Sequence, residues 1–346
     1  MDQEIWQQLL SLESREVTQQ WFSKIHGREL NIRRTREINA AAKQSREYFR
    51  NASNSDYSVR PLLTFYGVAS LSRALILLLR REGGEESLSS GHGLTTVDWN
   101  GQLSGDTSVG LACLLELKVQ TCAGLFNDFV RETKNRISLH VSSSAVDWRF
   151  NYDVPDVGKQ VSLRDLFCRI PDLFKDFSNI SADIRYANVS DLTYGLKNGF
   201  YAKVRNEYFE AFKHTYQDLG YKIETQDKWS TLTCDSAIFA QNIPLFVHSY
   251  VNKSFGTIPN LYIAEPFPGS LIYSQLCITY LIAYFLGMLA RYYPTHWISL
   301  IHGEKGDALW PTINRAQQMV EKSFPELIIE MIYDLLKESL DKSSEK

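Results

Sequence analysis

Two long apolar segments lie far apart in the 346-residue chain and limit the folds open to it. Residues 61–79 read PLLTFYGVASLSRALILLL, and residues 271–290 read LIYSQLCITYLIAYFLGMLA. As helices, both are apolar around nearly their whole circumference, so each must be covered by other elements. We therefore predict that the two helices pack against each other in the middle of one bundle.

The second apolar segment is also long enough to cross a membrane, which takes about 20 residues. However, Ser274, Gln275, Thr279 and three tyrosines are spread along it rather than gathered at its ends. Length and hydropathy alone do not separate a core helix from a membrane span. We predict a buried helix of a soluble protein with no membrane contact, and the span remains the alternative.

The hydrophobic pattern predicts an α+β fold that is predominantly α: a helical bundle built from both chain ends with a β-rich insertion. Residues 1–135 are assigned to an N-terminal helical part and residues 136–268 to the insertion, which contains a hairpin signal at Lys197-Asn198-Gly199. Residues 269–340 complete the bundle, and residues 341–346 form a solvated tail.

The spacing of apolar residues also predicts individual strands and helices. We expect strands in RISLHVSSSAVDWRFNY, YKIETQDKWSTLTCD and LFVHSYVNKSFGTIPNLYIAEPFPG, and a helix in SLRDLFCRIPDLFKDF. We expect Gly83-Gly84 to end the first apolar helix, the stretch after it to be a turn-rich loop, and Pro325 to begin the last helix.

Charge and cysteine content narrow the class of protein. The 37 basic and 40 acidic residues give a formal net charge of −3, so any nucleic acid must be held at a local basic patch. The five cysteines are scattered and include no CxxC pair, which favours a reduced, cytoplasmic setting. The chain also lacks the GxxxxGK[ST], HExxH, GxSxG and GxGxxG motifs.

The strongest candidate for a catalytic site lies in the segment MLARYYPTHWISLIHG, which begins at the end of the second apolar segment. Arg291 and His296 form an R-x4-H motif, in which a guanidinium can hold a phosphate and an imidazole can carry a proton near neutral pH. We expect Pro294 to end the first helix and Thr295 to cap the next one, which places His296 at a helix N-terminus. Tyr292 and Thr295 are secondary candidates. A second proton carrier would come from a second copy, so we predict a homodimer.

Structural interpretations of the same residues remain open. An arginine at a helix C-terminus is favoured by the helix dipole alone, and a histidine beside Trp297 can simply be packed. His92, in SSGHGLTT, is a further secondary site candidate or a tight-turn residue.

A metal site is the weakest candidate. Asp147 with Asp153 and Asp156 could hold a metal, but loop acids are usually solvated and a third clustered ligand is missing. We predict neither a metal nor a cofactor.

Four stretches resemble the YaaC-like family. They are RPLLTFYGVASLSRALILLL, GHGL, VQTCAGLFNDF and MLARYYPTHW, in the family's order and at similar spacing. This resemblance implies a fold and no reaction.

The apolar helix followed by a histidine-bearing loop, together with the R-x4-H motif, resembles the HEPN superfamily. That resemblance implies a helical, usually dimeric domain, often a metal-independent ribonuclease of toxin or antiviral systems, with Arg291 and His296 as its motif residues. Two departures are Tyr292, where a polar residue is common, and Pro294 inside the motif. A degenerate, non-catalytic domain of this type is therefore also open.

Two functions remain at this point. The first is a metal-independent endoribonuclease effector that cleaves RNA through its 2′-hydroxyl, with Arg291 and His296 as its catalytic residues. The alternative is a non-catalytic interaction or scaffold subunit of a defence or nucleic-acid-processing complex, whose β-rich insertion selects a protein partner.

Overall fold

The computed structural model describes residues 2–137, 151–195, 199–246, 261–303 and 307–344. The chain forms two compact units, which are described separately. Unit 1 comprises Met1–Asn135, Asp156–Leu163 and Leu276–Lys346, and unit 2 comprises Arg136–Pro155 and Arg164–Gln275. Within the described residues each unit contains one sheet, and the fold is α+β and predominantly helical, as the sequence predicts.

In the described residues the helices, in chain order, are α1 (Gln3–Leu9), α2 (Arg15–His26), α3 (Ile32–Asn54), α4 (Arg60–Leu79), α5 (Trp99–Gln102), α6 (Thr107–Ala112), α7 (Leu125–Glu132), α8 (Leu163–Phe167), α9 (Phe174–Phe177), α10 (Asn206–Phe209), α11 (Lys213–Asp218), α12 (Ser236–Phe246), α13 (Gln275–Tyr292), α14 (Pro294–Ile301) and α15 (Trp310–Ser344). The strands of the same residues are β1 (His92–Val97), β2 (Lys118–Gly124), β3 (Gln160–Ser162), β4 (Tyr186–Gly195), β5 (Gly199–Arg205), β6 (Lys222–Gln226), β7 (Trp229–Cys234) and β8 (Leu261–Ala264).

The two apolar helices, α4 and α13, pack against each other in unit 1, which confirms the prediction. The ring centroid of Phe65 on α4 lies 6.1 Å from that of Tyr280 and 5.4 Å from that of Tyr284, both on α13. A Cβ atom at Gly287 would lie only 2.8 Å from the Cβ of Phe65, so glycine permits this close approach. Both helices are apolar and long enough to cross a membrane, yet most of each is buried within the protein, as core helices are.

The C-terminal end of α4 is held by a buried arginine rather than by the predicted Gly83-Gly84. The Arg34 guanidinium donates hydrogen bonds to the carbonyl oxygens of Leu77, Arg80 and Arg81, at 2.7 to 3.0 Å. These carbonyls belong to the end of the helix, where no backbone N–H group follows to satisfy them. A guanidinium with five donors can satisfy several of them at once, so the helix ends at Leu79.

Helix α15 runs through Pro325, where the sequence predicts a helix start, and continues to Ser344, beyond the predicted end at residue 340. A proline inside a helix removes one backbone hydrogen bond. Contacts to α4 hold the helix across this region: the Arg60 Nε donates to Glu321 at 2.7 Å, and Gln317 donates to Thr64. Tertiary packing thus keeps the chain helical on both sides of Pro325.

Unit 1 also contains a small sheet that the sequence does not predict. Its antiparallel strands lie in the order β1-β2-β3. Strands β1 and β2 lie where the sequence predicts loop and helix, and β3 lies in the segment Asp156–Leu163. Gly93 and Gly124 cross at a bulge between β1 and β2, where a Cβ atom on Gly124 would lie 2.4 Å from the Gly93 nitrogen. This crossing requires glycine in both strands.

The larger sheet belongs to unit 2. Its antiparallel strands lie in the order β6-β7-β5-β4-β8. The predicted hairpin is confirmed, because β4 and β5 pair up to Gly195 and Gly199, although Lys197 and Asn198 lie outside the described residues. One face of the sheet is covered by a core that includes Phe200, Phe209 and Tyr216.

Three local predictions for unit 2 differ from the structure or fall outside it. Residues 162–177 form two short helices and a 3-10 turn at Pro171–Leu173 rather than one helix, because proline interrupts the backbone hydrogen bonds. Leu245 and Phe246, expected in a strand, end helix α12. Most of the strand predicted over residues 136–152, and residues 247–260 of the next one, lie outside the described residues.

Candidate functional site

Arg291 lies in the last turn of α13 with an exposed side chain. Its Nη1 donates a hydrogen bond of 2.9 Å to the hydroxyl of Tyr66 on α4. Its guanidinium carbon also lies 4.9 Å from the ring centroid of Tyr292. No carboxylate pairs with Arg291 among the described residues, so its charge is available to an anion.

His296, the predicted partner of Arg291, is buried, with a relative exposure of 8%. Its Nε2 is enclosed and has no hydrogen-bond partner, and it lies 2.5 Å from where a Cβ atom on Gly110 would be. Burial alone lowers the pKa of His296, and no charge contributes to that shift. Burial thus favours the neutral form of the imidazole, which packs against Gly110 of α6, and no contact within the described residues joins it to Arg291.

The helix start at this junction differs from the prediction. Helix α14 begins at Pro294, which occupies its first turn, and Tyr293 is its N-cap residue without a side-chain cap. Thr295 is exposed and already inside the helix, so it does not act as the cap. Proline at the first helical position supplies the fixed backbone angle that starts this helix.

His92 occupies a different environment, at the first residue of β1. Its half-buried ring lies 5.0 Å from the ring centroid of Phe65 and 6.3 Å from that of Tyr284. Its carbonyl oxygen accepts a hydrogen bond of 3.4 Å from the Tyr280 hydroxyl. The neighbouring Gly93 has a φ of +78°, and this backbone geometry fixes the residue against α4 and α13.

Two arginines act electrostatically on His92. Burial is the largest cause that lowers the pKa of His92, followed by the positive charges of Arg291 and Arg73. Arg73 is exposed on α4, and among the described residues it makes no hydrogen bond and no ion pair. His92 packs against Phe65, and Arg291 donates a hydrogen bond to the adjacent Tyr66, so both lie beside the same part of α4. We call Arg291, His92 and Arg73, whose charge also acts on His92, the cation cluster.

The chemistry available to the cation cluster is anion binding joined to proton transfer. Guanidinium groups match the geometry of phosphate oxygens, and their charges stay fixed at any working pH. A histidine whose pKa is lowered is mostly neutral at neutral pH, which is the state that accepts a proton. The Tyr66 hydroxyl accepts its hydrogen bond from Arg291 and keeps its own hydrogen available to donate.

The neighbouring thiol is not an activated nucleophile. Cys122 on β2 is half-buried and free, and burial raises the pKa of its thiol. Burial also raises the pKa of Tyr284 to about 12, with smaller contributions from Cys122 and Tyr292. The Tyr284 hydroxyl donates to the carbonyl of Leu94 at 3.0 Å and is thus used in the fold.

A metal site finds no support in the part of the chain that the structure describes. No group of three histidine, cysteine, aspartate or glutamate side chains comes together there. Asp153 and Asp156 are exposed, and Asp147 lies outside the described residues.

Arg73 and Tyr66 are site residues that the sequence motifs did not predict. Arg73 did carry a signal, because it is the only charged residue between Pro61 and Leu79. A charged side chain in an otherwise apolar helix must reach the surface or a functional site. Tyr66 carried no comparable signal, since a tyrosine is ordinary in an apolar helix.

Comparisons with known proteins place the chain in a family. A family model described as YaaC-like Protein matches residues 10–332. No curated protein and no solved structure matches the chain, so the HEPN resemblance rests on the sequence motifs alone. The family match spans both units and includes every residue of the cation cluster. The chain therefore belongs to the YaaC-like protein family.

Proposed function

We propose that the protein binds RNA at the cation cluster and cleaves it through the 2′-hydroxyl, without a metal ion. One observation carries the proposal: the His92 ring packs against Phe65, and Arg291 donates a hydrogen bond to the adjacent Tyr66. The charge of Arg73 also acts on His92, and no carboxylate neutralises either arginine among the described residues. Unpaired cations beside a neutral proton acceptor are what a phosphodiester substrate requires.

In this proposal His92 takes the proton-carrying role that the sequence assigned to His296. His92 accepts the proton of the 2′-hydroxyl, and the 2′-oxygen then attacks the adjacent phosphorus. The bond from phosphorus to the 5′-oxygen breaks, and Tyr66 donates its proton to the departing oxygen. Protonated His92 returns its proton to Tyr66 through solvent. The products are a 2′,3′-cyclic phosphate and a free 5′-hydroxyl.

The arginines stabilise charge rather than transfer protons. Arg291 and Arg73 bind the non-bridging phosphate oxygens, which carry more negative charge in the pentavalent transition state than in the substrate. Removing one such donor typically costs about 10²- to 10³-fold in rate. Removing a general acid or base costs about 10²- to 10⁴-fold.

In the homodimer that the sequence predicts, Tyr66 of a second copy of the chain could instead donate the proton to the departing oxygen. The two sources are separable by mixing the inactive variants His92→Ala and Tyr66→Phe. Recovered cleavage in the mixture indicates that two copies share one site, whereas no recovery places both proton carriers in one copy.

The decisive test uses purified full-length protein and mixed-sequence RNA in EDTA, with analysis of the product ends. We expect cyclic phosphate ends from the wild type and about a hundredfold loss or more in His92→Ala. Cleavage that requires a divalent ion, or that persists in His92→Ala, contradicts the proposal. Absence of cleavage together with stoichiometric co-purification of another protein favours the scaffold function instead.

The biological setting of such an activity, in antiviral defence or a toxin system, remains a prediction of the HEPN resemblance. Cytoplasmic localisation is likewise a prediction, which rests on the scattered cysteines.

A further inference from the structure

An exposed aromatic ring lies directly beside the cation cluster. Tyr292, the last residue of the mostly buried helix α13, has a relative exposure of 58%. The Arg291 guanidinium lies 4.9 Å from the centre of its ring, so a cation packs against the aromatic side chain. This contact orders an otherwise exposed ring next to the charge.

A second aromatic surface reaches the same arginine. The rings of Tyr48 on α3 and Tyr66 on α4 lie 5.6 Å apart, and both side chains are half-buried. The Tyr66 hydroxyl accepts the hydrogen bond from Arg291. Arg291 therefore contacts Tyr292 on its own helix and, through Tyr66, a pair of partly exposed tyrosines on α3 and α4.

We infer that this surface selects single-stranded RNA, with an unpaired base stacked on Tyr292 while the cation cluster holds the neighbouring phosphate. This inference rests on the proposed function and adds the substrate class. Aromatic side chains beside positive charges bind unpaired nucleotides, because every base offers a flat face and every linkage offers a negative charge. In a duplex the bases are already stacked and paired, so they are not available to such a ring.

The charges identify the occupant as a polyanion rather than an apolar protein segment. Arg73 and Arg291 have no carboxylate partner among the described residues, and an apolar partner that covered them would leave two buried, unpaired cations. The protein carries a net charge of −3, so the two unpaired arginines differ in sign from the charge of the protein as a whole.

The test measures binding rather than cleavage, with short 2′-O-methyl oligoribonucleotides that cannot react. Full-length wild type is titrated by fluorescence anisotropy with a single-stranded probe, with the same probe annealed to its complement, and with an abasic probe of the same length. We expect tighter binding of the single strand than of the duplex. Tyr292→Ala is expected to weaken single-strand binding by about tenfold or more, and Tyr292→Phe to retain it.

The abasic probe separates stacking from charge. Tyr292→Ala should leave binding of the abasic probe unchanged, whereas Arg73→Ala should weaken binding of both the abasic and the complete single strand. Tyr333→Ala is the matched control, because Tyr333 is an exposed tyrosine of unit 1 that contacts Trp21 on α2.

Two outcomes overturn the inference. One is duplex binding as tight as single-strand binding, and the other is an equal loss in Tyr292→Ala and Tyr292→Phe, which would assign the effect to the hydroxyl. Both can occur while RNA is still cleaved, and stacking can be found while cleavage is absent. Failure of this inference is therefore distinguishable from failure of the proposed function.

Discussion

At the scale of single residues, the two candidate histidines, His296 and His92, differ in whether the charge of Arg291 acts on them. His296 is close to Arg291 in sequence, but it is buried and no charge contributes to its pKa shift. His92 is far away in sequence, and the Arg291 charge is among the causes of its lowered pKa. The sequence motif identified Arg291 as a candidate residue. Its effect on His92 depends on how α4, β1 and α13 pack, which the motif does not contain.

The first residue-scale prediction concerns the pH profile. Cleavage requires neutral His92, so kcat/KM should rise with pH through the pKa of His92, which lies below its ordinary value of about 6.5. Arg73→Gln removes one of the positive charges that lower this pKa. The acid limb of the variant should therefore move to higher pH, as measured from the pH dependence of kcat/KM. An unmoved acid limb would show that Arg73 does not act on the catalytic proton carrier.

The second prediction concerns His296 and stability. Its pKa in the folded protein is below its unfolded value of about 6.5, so acidification below that value favours the unfolded state, which binds the proton. His296→Leu removes this dependence and the unpartnered Nε2. At about pH 8 the free energy of unfolding should change by less than about 1.5 kcal/mol, since an apolar group of similar size replaces the ring.

Urea unfolding at several pH values measures this effect. The wild type should lose more stability than His296→Leu between about pH 7.5 and pH 5.5, because only the wild type carries the buried histidine. His26 and His92 also have lowered pKa values, but they are present in both proteins and cancel in the comparison. A larger acid-dependent loss in the variant would contradict the packing role.

At the scale of elements, the sequence predicts features that depend on one segment alone and misses those that depend on partners distant in sequence. Helices α4 and α13 were predictable because an all-round apolar surface must be covered, whatever covers it. The small sheet of unit 1 was not, because β1, β2 and β3 are short and pair only through distant partners. The Arg34 contacts to the end of α4 were not predictable for the same reason, since they join residues 43 to 47 positions apart in the chain.

The element-scale prediction tests the glycine crossing that places His92. A Cβ atom on Gly93 would lie 2.6 Å from the Phe126 nitrogen, at a φ of +78°, whereas one on Gly91 would meet open space at a φ of +79°. Gly91→Ala therefore carries only the backbone strain of about 1 kcal/mol. Gly93→Ala carries the same strain plus a clash with backbone atoms, and should lose more stability and more RNA affinity. Equal losses of unfolding free energy in the two variants would contradict the crossing.

At the scale of the whole molecule, the family assignment and the net charge limit what can be concluded about the site. The chain belongs to the YaaC-like family, and this identity supplies no reaction. With a net charge of −3, the protein has no general attraction for nucleic acid, so binding must come from the few cations of the cluster.

The whole-molecule prediction follows from that count of cations. If Arg73 and Arg291 each neutralise about one phosphate, log Kd should change with log salt concentration with a slope of about 1.4, from a factor of about 0.7 per phosphate on single strands. Arg73→Ala should reduce the slope by about 0.7. Anisotropy titrations at several salt concentrations measure both. A slope several times larger in the wild type would assign binding to a broad basic surface that the proposal does not contain.

Whether His92 or His296 carries the proton is tested by comparing three proteins on the same RNA in EDTA: wild type, His92→Ala and His296→Leu. We expect 2′,3′-cyclic phosphate ends from the wild type and from His296→Leu at similar rates, and a loss of about a hundredfold or more in His92→Ala. Full activity in His92→Ala with loss in a folded His296→Leu would show that His296, not His92, carries the proton.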